Sequence, residues 1–281
     1  MNYEQLCQRL SKIYDAGEAK AIVRWVLDVR FGLSTADIYC GKVTQLSAND
    51  QAELEKIMLR LEKAEPVQYV LGAADFCGRE FHVAPGVLIP RPETAELCHL
   101  IAQDGGSDIL DIGTGSGCIA ITLALDIAQS KVTAWDISDD ALRIAEGNAK
   151  ALGAQVTFEH QDALNISHST LLPPPSSRQW DVIVSNPPYI CRKEADEMEQ
   201  NVLQYEPDTA LFVPDDDPLL FYRHIMDYAI KALRQGGRLF YEINPIYADS
   251  IVERLLQLGF VGVTKIDDQF GKTRFIKATK P

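Results

Sequence analysis

The chain has 281 residues, of which 46% are apolar, and its 27 basic and 40 acidic side chains give a formal net charge of −13. This length exceeds one average domain and the apolar content is sufficient for a core, so the composition excludes a wholly disordered chain. The acidic balance disfavours a protein that binds nucleic acid by neutralising phosphates, since such proteins need a basic stripe or patch.

The sequence also lacks the usual signs of a membrane span, a signal peptide and a metal site. No apolar stretch reaches the roughly eighteen residues of a span, and the segment that begins at residues 1–5 lacks the basic and apolar regions of a signal peptide. The six cysteines show no C-x-x-C spacing and the five histidines no H-E-x-x-H arrangement. We therefore expect a cytoplasmic protein with free thiols, no metal and no membrane contact.

Residues 1–73 show a helical pattern. Their apolar side chains recur with a period of 3.6, which is typical of amphipathic helices. The stripes are Leu6, Leu10 and Ile13, then Ile22, Trp25, Val26 and Val29, then Leu54, Ile57, Met58 and Leu61. The sequence predicts a small all-α bundle whose stripes are explained by packing alone.

From Pro66 onward the pattern changes, first to an apolar run at residues 67–72. Extended segments at 76–83 and 87–89 then flank Ala84-Pro85-Gly86, a typical turn sequence. We predict a β-hairpin within residues 74–90 that links the bundle to a second domain.

Residues 111–117 read Asp-Ile-Gly-Thr-Gly-Ser-Gly and separate two apolar segments, at 108–110 and 118–125. This order predicts a strand, a glycine turn and a helix. Glycines at 113, 115 and 117 allow the backbone to approach a nucleotide-like ligand closely. Their spacing differs from the G-x-G-x-x-G of dinucleotide sites and resembles the first motif of S-adenosylmethionine-dependent methyltransferases. Dinucleotide binding and plain tight packing are the alternatives.

Two acidic residues follow the next predicted strands. Residues 131–135 form an apolar run that ends at Asp136, and residues 156–160 precede Asp162 and Ala163. Asp136 is placed to chelate two ribose hydroxyls, and Asp162 to bond an adenine amino group. A single aspartate more often caps a turn, so the interpretation depends on order and spacing. Ligands in open α/β sheets lie off the carboxyl ends of strands, where both residues fall.

A rigid polar segment, Asn186-Pro187-Pro188-Tyr189, ends the apolar run at 181–185. A planar nitrogen must be oriented before it attacks a methyl group. The Asn186 side-chain oxygen and the Pro187 carbonyl can accept hydrogen bonds from its two N–H groups. Pro188 keeps Pro187 in an extended conformation. Tyr189 offers a face for stacking the substrate. The alternative is that an Asn-Pro-Pro turn simply ends a buried strand.

The remaining pattern predicts a doubly wound α/β domain. Strands and helices alternate from the glycine turn onward, with late strands at 237–243, 260–266 and 273–278. Residues 171–178, rich in proline and serine, are expected to form a surface loop.

Together these residues resemble the PrmC/HemK group of release factor glutamine methyltransferases, from end to end. Residues 66–72, 89–94 and 205–211 also resemble characteristic stretches of that group. The Ile-Pro-Arg-Pro sequence at 89–92 separates it from a similar ribosomal-protein glutamine methyltransferase, and the helical N-terminus separates it from DNA amino-methyltransferases.

The resemblance implies a class I S-adenosylmethionine-dependent fold with a mostly parallel seven-stranded sheet over residues 91–281. It implies methylation of the glutamine in the Gly-Gly-Gln loop of class I release factors, with residues 1–73 helping to recognise the factor. We expect the protein to be a monomer. The implied catalytic residues are Asn186, Pro187 and Tyr189. The implied S-adenosyl-L-methionine contacts are Asp111, Gly113, Thr114, Gly115, Ser116, Gly117, Asp136, Asp162, Ala163 and Asn186. The implied substrate contacts are Asn186, Pro187, Pro188, Tyr189, Arg91 and Glu206.

Two other functions share parts of this pattern. A nucleic-acid amino-methyltransferase would use the same Asn-Pro-Pro-Tyr chemistry, but it would bind DNA or RNA with a steep dependence on salt. A cofactor-binding scaffold for translation proteins would lack turnover. The intact Asn186 and Pro187 argue against such a scaffold.

Overall fold

The structure is a computed structural model that describes residues 1–166 and 179–281. It divides into a helical unit, made of Met1–Ala73 and Glu199–Tyr205, and an α/β unit, made of Ala74–Met198 and Glu206–Pro281. We retain the division into 1–73, 74–90 and 91–281 as a proposal. It places Glu199–Tyr205 in the third region, whereas the structure groups this segment with the helical unit. The loop expected at 171–178 lies outside the described residues.

The helices and strands are numbered in chain order. The helices are α1 (Tyr3–Leu10), α2 (Ala16–Phe31), α3 (Thr35–Tyr39), α4 (Ala48–Leu61), α5 (Val67–Leu71), α6 (Pro92–Asp104), α7 (Cys118–Asp126), α8 (Asp139–Leu152), α9 (Gln200–Tyr205), α10 (Asp208–Leu211), α11 (Leu220–Ala232) and α12 (Ala248–Gln257). The strands are β1 (Ala73–Phe76), β2 (Arg79–His82), β3 (Asp108–Ile112), β4 (Lys131–Asp136), β5 (Val156–His160), β6 (Trp180–Ser185), β7 (Ile190–Cys191), β8 (Phe212–Val213), β9 (Leu233–Glu242), β10 (Val261–Asp267) and β11 (Thr273–Thr279).

The helical unit begins and ends its helices with polar caps. Asn2 and Gln5 form a capping box at the start of α1. The Asp15 carboxylate accepts the first free N–H groups of α2, which ends at Gly32 with φ +64°. These caps satisfy backbone groups that have no partner inside the helix.

The predicted apolar stripes form most of the core of the helical unit. Leu6, Leu10, Ile22, Val26, Leu54, Ile57, Met58 and Leu61 are all buried. Ile13 is exposed because α1 has already ended at Leu10. The guanidinium of Arg9 joins α1 to α4 through ion pairs of 2.7 Å with Glu55 and Glu62.

A β-hairpin exists in the predicted region, but at a different register. β1 and β2 pair directly, and Cys77 and Gly78 between them have φ of +50° and +71°. Two positive φ values are the mark of the type I′ turn that matches strand twist. The strand predicted at 76–83 therefore contains both this turn and β2, the strand predicted at 87–89 is wrong, and the run at 67–72 mostly forms α5.

The predicted mostly parallel seven-stranded sheet is confirmed. Its strand order is β10-β11-β9-β6-β3-β4-β5. The pairs β9/β6, β6/β3, β3/β4 and β4/β5 are parallel, whereas β11 is antiparallel to both of its neighbours. Alternate residues of β3 enter two separate apolar clusters, Leu110 and Ile112 in one and Ile109 in the other. The sheet is thus buried on both faces, as parallel sheets usually are.

The strand order reverses at β3, whose neighbours are β4 and β6. In doubly wound sheets such a reversal opens a crevice at the carboxyl ends of the strands, where ligands bind. The Ser185 hydroxyl donates to the Ile112 carbonyl at 2.7 Å and so fixes the end of β6 against the end of β3. The glycine turn and Asn186 consequently leave the sheet side by side.

Three further properties concern the described part of the chain. Within residues 1–166 and 179–281, none of the helices has both the length and the apolar character needed to cross a membrane. The same residues contain no group of three His, Cys, Asp or Glu side chains placed to hold a metal ion. All six cysteines are free thiols.

Candidate active site

A cavity of about 390 Å³ lies at the carboxyl ends of β3, β4 and β6. This volume falls within the range of small-molecule sites. The predicted site residues that line it are Arg91, Gly113, Thr114, Gly115, Ser116, Asp136, Asp162, Ala163, Asn186, Pro187 and Pro188. The predicted residues Asp111, Gly117, Tyr189 and Glu206 are not part of the lining.

The glycine turn presents bare backbone to the cavity. The N–H groups of Gly113 and Thr114 both donate to the Trp135 carbonyl at 2.9 Å, which ties the turn to β4. Gly113 and Gly115 have φ of +78° and +55°, and a Cβ at either position would meet no atom within 4 Å. The turn therefore combines a glycine conformation with open space for a ligand.

Asp136 is held at the end of β4 by two backbone donors. Gly115 N–H donates to Oδ2 and Ser138 N–H donates to Oδ1, each at 2.9 Å. Each carboxylate oxygen can accept more than one hydrogen bond, so the carboxylate can still receive a vicinal diol. Asp162, after β5, is similarly fixed by Leu164 N–H at 2.8 Å. Bare backbone and two fixed carboxylates in one cavity fit a nucleoside ligand.

Asn186 follows β6 and is bonded to Thr94, which in turn is bonded to Glu242. Its Nδ2 donates to the Thr94 hydroxyl at 3.2 Å. That hydroxyl donates to Glu242 Oε2 at 2.7 Å. Thr94 belongs to the stretch 89–94, which the family resemblance places near the cofactor, whereas Glu242 had no predicted role in the site. The available signal was an acidic residue, Glu242, inside the apolar segment 237–243.

Tyr189 lies behind the cavity. Its ring packs against the core cluster that includes Tyr222 and Ile243, and its hydroxyl donates to Glu242 Oε1 at 3.3 Å. Burial, together with the nearby charge of Glu242, raises the pKa of this phenol well above its ordinary value. The structure thus places Tyr189 where it anchors the end of the segment 186–189, away from the cavity wall on which we expected it.

Asp111 and Gly117 support the glycine turn from beneath. Burial raises the pKa of Asp111 to about 7, against the effect of the Thr114 hydroxyl, which donates to Oδ2 at 2.7 Å. A Cβ on Gly117 would lie 2.8 Å from Ile121 Cδ1 and 3.0 Å from Ala145 Cβ. Gly117 therefore allows α7 and α8 to pack closely.

Arg91 lines the cavity and Glu206 holds it in place. The guanidinium donates to Glu206 Oε1 at 2.5 Å, and the Ile89 N–H donates to Oε2 at 3.1 Å. The Glu206 side chain is only 1% exposed, whereas that of Arg91 is 33% exposed. Both Arg91 and Glu206 were predicted to contact the substrate, but of this pair only Arg91 lines the cavity.

Two solved structures share the fold. A methyltransferase from Pyrococcus furiosus has a TM-score of 0.51 and 19% identity, covering 83% of this chain and 99% of its own. The Thermus thermophilus 16S rRNA N2 G1207 methyltransferase, in complex with AdoMet and guanosine, has a TM-score of 0.53 and 20% identity, covering 74% and 50%. At these identities the likeness concerns the fold alone.

Sequence comparison is more specific. A model described as the PrmC N-terminal domain matches residues 3–72, and one described as the methyltransferase small domain matches residues 93–206. The release factor glutamine methyltransferase of Bacteroides thetaiotaomicron is 48% identical over 275 residues, covering 97% of both chains. That of Flavobacterium psychrophilum is 38% identical over 284 residues, covering 98% of this chain and 97% of its own. With such similarity along nearly its whole length, the chain belongs to the release factor glutamine methyltransferase family.

Proposed function

We propose that the protein methylates the side-chain amide nitrogen of the glutamine in the Gly-Gly-Gln motif of class I peptide chain release factors, with S-adenosyl-L-methionine as methyl donor. The observation that carries this proposal is the position of Asn186. It lines the cavity while its NH₂ group is bonded to Thr94, which leaves its carbonyl oxygen to accept from a substrate amide.

The cavity residues suit the cofactor. The backbone of residues 113–116 lies beside the ligand space, Asp136 would accept the ribose hydroxyls, and Asp162 and Ala163 would border the adenine. When bound, the cofactor supplies a methyl group on a positively charged sulfur.

The protein's part in the reaction is chiefly positioning. An amide nitrogen is a weak nucleophile because its lone pair is delocalised into the carbonyl. Asn186 Oδ1 and the Pro187 carbonyl would accept hydrogen bonds from its two N–H groups and hold the nitrogen in one orientation. Because Pro188 restricts the conformation of Pro187, that carbonyl keeps its direction. The departing proton can pass to these acceptors or to water, so no histidine base is required.

The proposed partner is a class I release factor, recognised in part by residues 1–73. The match of residues 3–72 to the PrmC N-terminal domain supports this assignment. We further propose that the protein acts as a monomer, without direct contact to nucleic acid or membrane, in the cytoplasm where translation terminates. The net charge of −13 supports a protein substrate over a polyanion.

The test uses methyl-labelled S-adenosylmethionine and two forms of a release factor, the natural one and one with its loop glutamine replaced by alanine. We expect label on the natural factor only. Label on both forms, or on neither, would contradict the proposed substrate.

The Asn186→Ala variant tests the role of the carboxamide. Loss of one transition-state hydrogen bond should cost roughly 1 to 3 kcal/mol, or on the order of ten- to a hundredfold in single-turnover rate. Cofactor affinity should change much less. An unchanged single-turnover rate would remove Asn186 from the mechanism.

A further inference from the structure

The Asn186 carboxamide stands at the end of a short hydrogen-bond chain. Its Nδ2 donates to Thr94 Oγ1 at 3.2 Å, and Thr94 Oγ1 donates to Glu242 Oε2 at 2.7 Å. Thr94 is 3% exposed and Glu242 is 2% exposed, so water does not compete for these bonds. The chain links α6 to the ends of β6 and β9, three elements that are distant in sequence.

The direction of these bonds fixes the orientation of the amide. A threonine hydroxyl has a single proton, and a carboxylate only accepts. The Thr94 proton therefore lies in the bond to Glu242, and Oγ1 can only accept from Asn186. The group facing Thr94 must be the NH₂ of the carboxamide, which is otherwise hard to distinguish from its oxygen. The oxygen then points away from Thr94.

Glu242 also holds the other end of the segment 186–189. Its second oxygen, Oε1, accepts from the Tyr189 hydroxyl at 3.3 Å. Burial raises the pKa of Glu242, while the Thr94 hydroxyl, the charge of Arg274 and the Tyr189 hydroxyl favour its ionised form. A single buried carboxylate thus fixes Asn186 through Thr94 and Tyr189 directly.

We propose that Glu242 is a positioning residue that acts through Thr94 to keep the Asn186 oxygen directed at the substrate amide. This inference rests on the proposed function, since it concerns the acceptor for the substrate N–H. Without a negative acceptor, the Thr94 hydroxyl can turn and donate to Asn186 Oδ1. The carboxamide would then present its NH₂ to the substrate, and two donors would face each other.

The first experiment compares three variants in single-turnover methylation of a release factor. Thr94→Val removes the hydroxyl but keeps the shape, Thr94→Ser keeps the hydroxyl, and Glu242→Leu removes the carboxylate that accepts from Thr94. We expect Thr94→Val and Glu242→Leu to be slower by on the order of ten- to a hundredfold, because a misplaced substrate loses that much. Thr94→Ser should stay within about threefold of the parent protein.

Cofactor affinity distinguishes positioning from direct binding, because Thr94 also lines the cavity. Calorimetric titration should give a Kd for S-adenosylmethionine within about threefold of the parent value for all three variants. A loss of affinity as large as the loss of rate would overturn the proposal, as would a parental rate in Thr94→Val.

A double-mutant comparison tests whether Thr94 acts through Asn186. In an Asn186→Ala background, Thr94→Val should slow the reaction by no more than about twofold, because the amide it orients is absent. The full loss seen in the parent background would mean that Thr94 acts by another route, and the proposal would fail.

The last readout needs no turnover. The side-chain amide protons of Asn186, identified by their loss in Asn186→Ala, should exchange slowly in the NMR spectrum of the parent and of Thr94→Ser. They should exchange faster in Thr94→Val; equal exchange there would contradict the link. A parent protein that fails to methylate a release factor would refute the proposed function, while this exchange measurement would still decide the inference.

Discussion

Gly115 combines a left-handed backbone, φ +55°, with empty space where a side chain would stand. An alanine there should cost about 1 kcal/mol of stability from the backbone alone. Its methyl group would also occupy space beside the turn that lines the cavity. We therefore expect Gly115→Ala to weaken S-adenosylmethionine binding, measured by calorimetric titration.

Gly153 provides the matched control for this prediction. It ends α8 with φ +72°, and a Cβ there would also meet no atom within 4 Å, but it does not line the cavity. Gly153→Ala should lower the unfolding temperature to a similar degree and leave cofactor affinity unchanged. Equal affinities in the two variants would show that the turn backbone does not approach the ligand.

The raised pKa of Asp111 predicts that the stability of the protein depends on pH. Its pKa is raised from 3.8 to about 7, chiefly by burial. An acid whose pKa is higher in the folded than in the unfolded protein stabilises the folded state at pH values below its unfolded-state pKa. This stabilisation is lost as the pH rises through the folded-state pKa. The loss should total roughly 4 kcal/mol by pH 8, from 1.36 kcal/mol per pH unit. The unfolding temperature of Asp111→Asn relative to the parent should therefore rise between pH 5 and pH 8. Parallel curves would contradict this.

The residues that sequence could identify are those whose role follows from neighbours in the chain. The glycine turn, Asp136 and Asn186 each follow an apolar run, so strand order alone brings them together in the cavity. Glu242 could not be found this way, because its partner Thr94 is 148 positions away. The surroundings of Tyr189 could not be predicted from the sequence either, since the direction of a side chain depends on packing.

At the scale of elements, the position of the hairpin turn could not be predicted from neighbouring residues alone. Ala84-Pro85-Gly86 does form a turn, in which the Val87 N–H donates to the Ala84 carbonyl at 3.3 Å, but the turn of the hairpin lies at Cys77 and Gly78. A non-glycine residue such as Cys77 rarely has positive φ, so its sequence gives no warning. Pairing of β1 with β2 decided the register. The long strands of the sheet, with their apolar runs, were predicted to within a few residues in most cases.

The segment before α6 is held in place by Glu206. Its buried carboxylate receives the Arg91 guanidinium and the Ile89 N–H, on the loop that borders the cavity. Glu206→Ala should destabilise the protein by about 1 to 3 kcal/mol, because it leaves a buried donor without a partner. Urea unfolding measures this loss.

Asp208 is a suitable comparison, two residues further on. It pairs with Arg192 at 3.0 Å, but both side chains are more than half exposed. Asp208→Ala should change the free energy of unfolding by less than about 1 kcal/mol, as exposed pairs contribute little. Similar losses in the two variants would mean that the Glu206 pair does not order the loop.

At the scale of the whole molecule, charge is unevenly distributed along the chain. Residues 1–75 contain 9 basic and 11 acidic side chains, whereas the remainder contains 18 and 29. The nearly balanced region includes the helical unit's first 73 residues, to which we assign release factor recognition. The excess negative charge falls on the part of the chain that includes the cavity residues, where a nucleic acid substrate would be repelled on average.

This distribution predicts weak binding to nucleic acids. Fluorescence anisotropy with labelled tRNA and duplex DNA should show no saturable binding at about 10 µM protein and 50 mM salt. Proteins that bind phosphates nonspecifically typically have Kd values of roughly 10⁻⁴ to 10⁻⁶ M even at physiological salt, and tighter ones at low salt. Micromolar binding that weakens steeply with added salt would favour a nucleic-acid amino-methyltransferase. Both substrate classes present the same planar nitrogen and differ in the phosphates around it. Absence of such binding, combined with labelling of the release factor, would therefore leave the protein amide as the substrate.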